Sequence, residues 1–195
     1  GQSYTSIGGD GGSGTVIVRY LGGSADNSAG TALNITGYTA QRFSSSSTLS
    51  MDAIDINLSG VVSGANALTL DATGGTLTLS GASTYTGSTT LAGGTLQVGS
   101  AATLGGGTYS GALSITSGAT FDYASTAAQL FTGTVSAAGA VLKSGAGTLS
   151  LLGNNTFSGG VTLSAGTLGV YTNTGAGTGD ITLGAGTSML LGRAV

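Results

Sequence analysis

Two segments of this 195-residue chain carry the same 24-residue pattern, and that repeat narrows the possible folds more than any other feature. Gly75 to Val98 reads GTLTLSGASTYTGSTTLAGGTLQV, and Gly147 to Val170 reads GTLSLLGNNTFSGGVTLSAGTLGV. Aligned without gaps, the two segments are identical at 13 of 24 positions. Repeats of this length indicate one structural unit used several times, because each unit buries its apolar side only by stacking on its neighbours.

The apolar residues of each copy alternate with small polar residues, which is the period of a strand with one buried face. Glycine or Ser/Asn clusters follow every three to five strand residues, so the chain must turn after short straight runs. The interval from Leu77 to Leu96 equals the interval from Leu149 to Leu168. This spacing predicts an all-β fold, a parallel β-helix (β-solenoid) of about 20 residues per coil. The predicted core residues are Leu77, Leu79, Leu91, Leu96, Val98, Leu149, Leu151, Leu163, Leu168 and Val170.

Similar strand cores occur outside the two copies. They are Val16 to Tyr20, Leu33 to Ile35, Ile54 to Leu58, Leu68 to Leu70, Leu113 to Ile115 and Ile181 to Leu183. We divide the chain into a glycine-rich segment with a first strand, residues 1–30, and a solenoid, residues 31–195, with clear repeats at 75–98 and 147–170. An antiparallel sandwich is the alternative fold, but Asp10-Gly11 is the only Asn-Gly or Asp-Gly hairpin signal.

The composition excludes several classes of protein. Glycine supplies 39 of the 195 residues and there is no Glu, which disfavours helices, while 39% hydrophobic and 6% charged residues are the reverse of a disordered composition. The net charge of −3 predicts no nucleic-acid partner. No apolar run is long enough to span a membrane, so we predict no membrane insertion by this chain.

The chain lacks His, Cys and Glu, which removes the usual catalytic bases, nucleophiles and metal ligands. We therefore predict no enzyme, no catalytic, cofactor-binding or metal-binding residue, and no cofactor. A polysaccharide-active enzyme is the less favoured alternative, and would need a cluster of acids assembled across coils. The seven acids are Asp10, Asp26, Asp52, Asp55, Asp71, Asp122 and Asp180. Asp55 and Asn57 share a strand face and could bind calcium weakly, but calcium takes six or more oxygens, so solvated surface is favoured.

Tyr85 and Phe157 occupy the same position in the two copies. They could offer stacking platforms to sugars, although inward packing or an aromatic ladder along the solenoid is favoured. The loop Gly8 to Gly14 resembles a phosphate cradle only superficially, because a strand follows it where that motif needs a helix. Asn66, Asn154 and Asn155 are predicted to lie at corners, where asparagine tolerates left-handed backbone.

The pattern GTL-x-L-x-G-x-x-T-Y/F-x-G-x-x-x-L-x-x-GTL-x-V resembles the autotransporter-associated β-strand repeat of bacterial surface and secreted proteins, over Gly75 to Val98 and Gly147 to Val170. The resemblance implies a right-handed parallel β-helix that is exported to the cell surface or the extracellular space. It also implies a structural or adhesive role in a passenger region.

The expected partners follow from the open edges of a solenoid. The segment Leu190 to Val195 has no proline and one charge, so it is expected to leave a sheet edge unprotected. A second copy stacked head to tail would form a filament or stalk, whereas in a larger surface protein the next coil would follow. An adhesive segment that binds host cells or glycans is the alternative.

Overall fold

The computed structural model describes residues 16–20, 31–35, 38–43, 47–52 and 55–192, except 173, 174 and 176. Among these residues there is no α-helix, and a short 3-10 turn occupies Gly105–Gly107. The strands, in chain order, are β1 (Val16–Tyr20), β2 (Thr31–Ile35), β3 (Tyr38–Phe43), β4 (Ser47–Asp52), β5 (Ile56–Leu58), β6 (Leu68–Thr73), β7 (Thr76–Leu79), β8 (Thr89–Leu91), β9 (Thr95–Val98), β10 (Thr108–Tyr109), β11 (Leu113–Ile115), β12 (Thr120–Tyr123), β13 (Gln129–Phe131), β14 (Val135–Ala137), β15 (Ala140–Lys143), β16 (Thr148–Leu151), β17 (Thr156–Phe157), β18 (Val161–Leu163), β19 (Thr167–Val170), β20 (Ile181–Leu183) and β21 (Ser188–Leu191).

The first three strands form a separate antiparallel sheet in the order β1-β3-β2. The sequence division started the solenoid at residue 31, whereas parallel stacking begins with β4, which pairs with β6. The two-residue alternation of side chains is common to parallel and antiparallel strands, so it does not reveal the direction of pairing. The glycine-rich loop at residues 8–14 lies outside the described residues.

The remaining strands form three parallel sheets, which we name I, II and III. Sheet I has the order β4-β6-β8-β11-β14-β17, sheet II the order β5-β7-β9-β12-β15-β18-β20, and sheet III the order β10-β13-β16-β19-β21. From β8 to β19 the chain visits the three sheets in turn, so each coil places one strand on each side of a tube. The predicted parallel β-solenoid is confirmed, with about six stacked coils.

The interior of the tube is one apolar cluster, because every short strand turns alternate residues inward. On sheet II, Leu77 stacks under Leu96 and Leu96 under Phe121. The first of these steps matches the predicted repeat, and the step from Leu96 to Phe121 is longer. The longer coil contains the loop between β9 and β10, which includes the 3-10 turn.

Two glycines at equivalent repeat positions allow successive coils to approach closely at the corners. A Cβ atom on Gly81 would lie 2.5 Å from the carbonyl oxygen of Gly60, and one on Gly153 would lie 2.2 Å from that of Gly133. Both distances are far below contact, so these corners tolerate only glycine. The glycines at these corners therefore permit the close spacing that the hydrogen bonds between coils impose.

The two repeat copies lie on different sides of the tube. Leu77 belongs to sheet II and its equivalent Leu149 to sheet III. Likewise Leu91 belongs to sheet I, whereas Leu163 belongs to sheet II. Along the chain, the second copy therefore begins three coils after the first and one sheet further around the tube.

Candidate functional site

The ten residues predicted as core lie together inside the tube. Each is at most 3% exposed, and all belong to the same apolar cluster. Leu77, Leu96, Leu149 and Leu168 share this interior although they belong to two different sheets. Their position makes them the structural support of the surface and leaves them out of reach of a ligand.

Tyr85 and Phe157 also point inward, with 1% of each side chain exposed. Tyr85 begins an aromatic ladder in which its ring centroid lies 5.5 Å from that of Tyr109, and Tyr109 lies 5.6 Å from Phe131. Phe131 in turn lies 5.8 Å from Phe121. Phe157 lies on sheet I, and no ring contact joins it to this ladder among the described residues. Neither repeat aromatic is available to stack on a sugar.

A buried hydroxyl network lies at the start of the aromatic ladder. The Thr89 hydroxyl lies 2.7 Å from both the Tyr85 and the Tyr109 hydroxyl, and Tyr109 donates to the carbonyl oxygen of Gly87 at 2.6 Å. Burial raises the pKa of Tyr85 and of Tyr109 above the ordinary value. The network is closed on itself, which makes it a stabilising feature of the fold.

Lys143 is buried completely, a position that the sequence pattern gave no reason to expect. It pairs with Leu163 on sheet II and occupies an inward position that holds apolar residues in neighbouring coils. Its ammonium donates to the carbonyl oxygens of Gly145 and Ala165 and lies 5.5 Å from the centroid of the Tyr123 ring. Burial lowers the pKa of Lys143, and the nearby charge of Asp122 opposes this shift.

Two buried amide side chains replace missing backbone hydrogen bonds between coils. The Gln129 side chain accepts from Leu104 N at 2.7 Å and donates to Leu104 O at 3.1 Å. The Asn155 side chain accepts from Val135 N at 2.9 Å and donates to Gly175 O at 3.2 Å. Asn155 lies at a corner as predicted for asparagine, and it links the coil below to the coil above.

The described acids do not assemble into a site. Asp55, Asp71 and Asp180 are exposed and belong to different coils, while Asp122 is buried and accepts from Gln97 and Ser144. Within the described ranges, no group of three or more His, Cys, Asp or Glu residues could hold a metal ion. Asp10 and Asp26 lie outside the described residues, as does the side chain of Asp52.

The calcium candidates use their oxygens within the fold. Thr76 N donates to the Asp55 carboxylate at 2.9 Å, and the Ser80 hydroxyl donates to the Asn57 side-chain oxygen. Both bonds join one coil to the next, because the partners are 21 and 23 residues apart. Asp55 and Asn57 therefore serve as links along the outer side of sheet II.

An apolar patch interrupts the small polar residues outside sheet III. It consists of Leu152, Tyr171 and Leu190, and we call it the outer patch. Leu152 is 39% exposed and Leu190 is 49% exposed. Tyr171 follows β19 directly, and its ring lies against Gly169 and Gly192. Tyr171 and Leu190 lie beyond the repeat copies, and Leu152 takes the place of Ser80 in the first copy, so the repeat pattern gave no signal for this patch.

The fold and these side chains define a parallel β-solenoid whose described part has a closed, apolar interior. Residues 74–98 and 141–170 match the family model described as Passenger-associated-transport-repeat. The match confirms the resemblance drawn from the sequence, and it indicates that these two segments are repeats of the kind found in autotransporter passengers. No curated protein matches the chain, and no solved structure matches it.

The part of the chain that the structure describes contains no helix with the length and apolar character needed to cross a bilayer.

Proposed function

We propose that this chain is an extracellular structural rod at the bacterial cell surface, which forms or extends a filament or stalk by stacking end to end. The passenger repeats at 74–98 and 141–170 support export and a place outside the cell. The three continuous parallel sheets support a structural role, because backbone hydrogen bonds join each coil to the next along the whole stack.

The last described coil carries the proposal of stacking. Leu183 continues the inward position of Leu163 but is 54% exposed, and Leu191 continues that of Val170 but is 75% exposed. One coil below, Leu163 is fully buried and Val170 is 3% exposed. Another coil laid on β20 and β21 would pair their free edges and cover these side chains. A second copy stacked head to tail would supply such a coil, and so would the following coil of a larger surface protein.

The test is imaging and sedimentation of the purified chain over a range of concentrations. We expect rods that lengthen with concentration. Leu183→Lys combined with Leu191→Lys should stop the lengthening, because it places charges at the joint. Leu152→Lys is the matched control, since Leu152 is 39% exposed and lies on the side of the tube, two coils before the last described coil. Isolated particles of one length at every concentration would contradict end-to-end stacking.

The second candidate is an adhesive segment that binds glycans on host cells. The outer patch favours it, because the exposed Leu152 and Leu190 and the half-buried Tyr171 stand among threonines, serines and glycines. Exposed apolar side chains that cluster on a polar surface mark interaction sites. A polysaccharide-active enzyme gains no comparable support, since the described acids are dispersed over separate coils.

A further inference from the structure

The ring of Tyr171 is laid flat on the outside of sheet III by two glycines. A Cβ atom on Gly169 would lie 2.7 Å from Cε2 of this ring, and one on Gly192 would lie 2.3 Å from its Cδ1. Gly169 is the outward residue between Ser150 and Leu190 in the sheet register. Glycine within a strand is unfavourable unless something approaches the backbone closely, and here the approaching group is the aromatic ring.

Leu152 and Leu190 lie beside the Tyr171 ring and form with it a short apolar surface along the tube. Leu152 and Tyr171 each follow a register partner, Leu151 and Val170, so they stand in adjacent coils. Leu190 stands one coil further along, beside Gly169. One face of the ring is set against the sheet, and the Tyr171 hydroxyl makes no hydrogen bond with any described residue. Within the described part of the chain, the hydroxyl and the exposed part of the ring are therefore open to a ligand.

The size of the outer patch argues against a second copy of the chain as the ligand. A specific protein interface buries about 800 Å² on each partner. One half-buried tyrosine and two partly exposed leucines offer far less. The patch is suited to a small or narrow ligand.

The charge around the patch argues for a neutral ligand. The outward residues of sheet III that the structure describes are threonine, serine, leucine and glycine, with no charged side chain among them. Lys143, the only lysine, is enclosed in the tube. An anionic polymer would find no described cation on this side, whereas hydroxyl groups would find hydroxyl partners.

We infer that the outer patch is a binding site for a neutral, equatorially substituted oligosaccharide, in which the apolar face of one pyranose ring stacks on Tyr171. The flanking leucines cover the adjoining sugar units, and the Tyr171 hydroxyl and Ser150 bond to sugar hydroxyls. The inference rests on the adhesive candidate and not on end-to-end stacking. It also moves the sugar-stacking role from Tyr85 and Phe157, which are buried, to an aromatic outside the repeat copies.

The test is a titration of the chain with cellohexaose, a neutral β-linked hexasaccharide, observed by saturation-transfer NMR. We expect saturable binding with a Kd of about 1 mM or tighter, as a single stacking site gives. Tyr171→Ala should weaken binding about tenfold or more. Gly169→Ala should have the same effect although the ring is still present, because the new Cβ lifts the ring off the sheet. Leu142→Ala, on the outer side of sheet II, is the control and should bind like the unaltered chain.

Several results would overturn the inference. The site is refuted if cellohexaose does not bind, or if it binds Tyr171→Ala as well as the unaltered chain. A concentration-dependent dimer that Tyr171→Ala dissolves would show that the outer patch is a contact between copies. Imaging the same variants separates the proposals, because Tyr171→Ala should leave the lengthening of rods unchanged and the paired lysine substitutions at Leu183 and Leu191 should leave cellohexaose binding unchanged.

Discussion

The two repeat copies share a sequence pattern, but they occupy different sides of the tube. Gly75 to Val98 runs from sheet II to sheet II, and Gly147 to Val170 runs from sheet III to sheet III. Their leucines are nevertheless buried to the same extent, with Leu77 and Leu149 both at 0% exposure. The pattern therefore encodes one full coil of short strands and corners, and it does not specify on which side of the tube that coil begins.

The copies differ in what fills the positions between the leucines. Ser83 in the first copy corresponds to Asn155 in the second, and both side chains accept the backbone N–H of a residue one coil below. The distance is 3.4 Å to Ser83 and 2.9 Å to Asn155, and only Asn155 also donates to the coil above, at Gly175 O. The two equivalent corners thus make the same kind of hydrogen bond between coils, and the bond to Asn155 is shorter than the bond to Ser83.

The largest expected effect is a loss of stability on substitution of the corner glycines, because both repeat copies have such a glycine at the same position. Gly153→Ala and Gly81→Ala should each lower the free energy of unfolding by about 3 kcal/mol or more, since the added methyl meets a carbonyl oxygen of the coil below. Urea denaturation followed by circular dichroism measures this loss. Gly60→Ala is the matched control, because a Cβ atom there meets nothing within 4 Å. Equal losses at Gly60 and Gly81 would rule out close approach as the cause.

The next largest effect is a difference in stability loss between the equivalent corners at Asn155 and Ser83. Asn155→Ala should cost about 2 kcal/mol, because it leaves Val135 N and Gly175 O without their partner. Ser83→Ala should cost less than about 1 kcal/mol, because it removes a long contact to Val62 N. Thermal unfolding of the two variants compares the corners directly. A greater loss at Ser83 than at Asn155 would contradict the hydrogen-bond assignment.

A smaller effect is expected from exchanging the repeat aromatics. Tyr85→Phe should cost about 1 kcal/mol, because the Thr89 hydroxyl keeps its bond to Tyr109 when the bond to Tyr85 is lost. Phe157→Tyr should cost about as much or slightly more, because it buries an additional hydroxyl in the apolar cluster. Denaturant midpoints of both variants measure the exchange. A stabilising Phe157→Tyr would show that sheet I offers a hydroxyl partner there.

The smallest effect concerns pH. Burial raises the pKa of Tyr85, Tyr109 and Tyr123, so the unfolded chain loses these protons first, and the free energy of unfolding falls as the pH rises above about 10. The lowered pKa of Lys143 acts in the opposite direction, because the unfolded chain holds that proton to about pH 10.4 while the folded chain releases it earlier. Three tyrosines outweigh one lysine, so we expect a net loss above pH 10.

Urea titrations at pH 7, 9 and 10.5 test this balance. Tyr85→Phe should reduce the alkaline loss, and Lys143→Met should remove the opposing gain between the lowered pKa of Lys143 and pH 10.4. Both differences should be about 1 kcal/mol or smaller at pH 10.5. A chain whose stability is unchanged between pH 9 and 10.5, with or without Lys143, would contradict the burial of these groups.

The parts of the fold that repeat were predictable from the sequence. Leucine spacing and glycine corners predicted the parallel solenoid, and the strand cores at 113–115 and 181–183 match β11 and β20. The antiparallel pairing of β1 to β3 was not predictable, because the alternation of side chains says nothing about strand direction. The side of the tube on which each copy lies was not predictable either, because it depends on how many strands lie between the two copies.

The features that occur once were beyond the sequence pattern. Lys143 is the only lysine, and its burial depends on two carbonyl oxygens that only the folded corner brings within reach. The position of the Tyr171 ring depends on Gly169 and on Gly192, which lies one coil away. A repeat pattern predicts only the features that its copies share. It therefore gives no information on side chains whose role depends on contacts that occur once in the structure.

The direction of the hydrogen bonds between coils has a mechanical consequence. They run along the axis of the tube, so a pull on the two ends of the described solenoid loads the outermost coil before the others. We expect such a pull to peel coils away one after another, each releasing about 65 Å of chain for about 20 residues. A surface stalk built in this way would lengthen in steps under flow and would shorten again as its coils rewound.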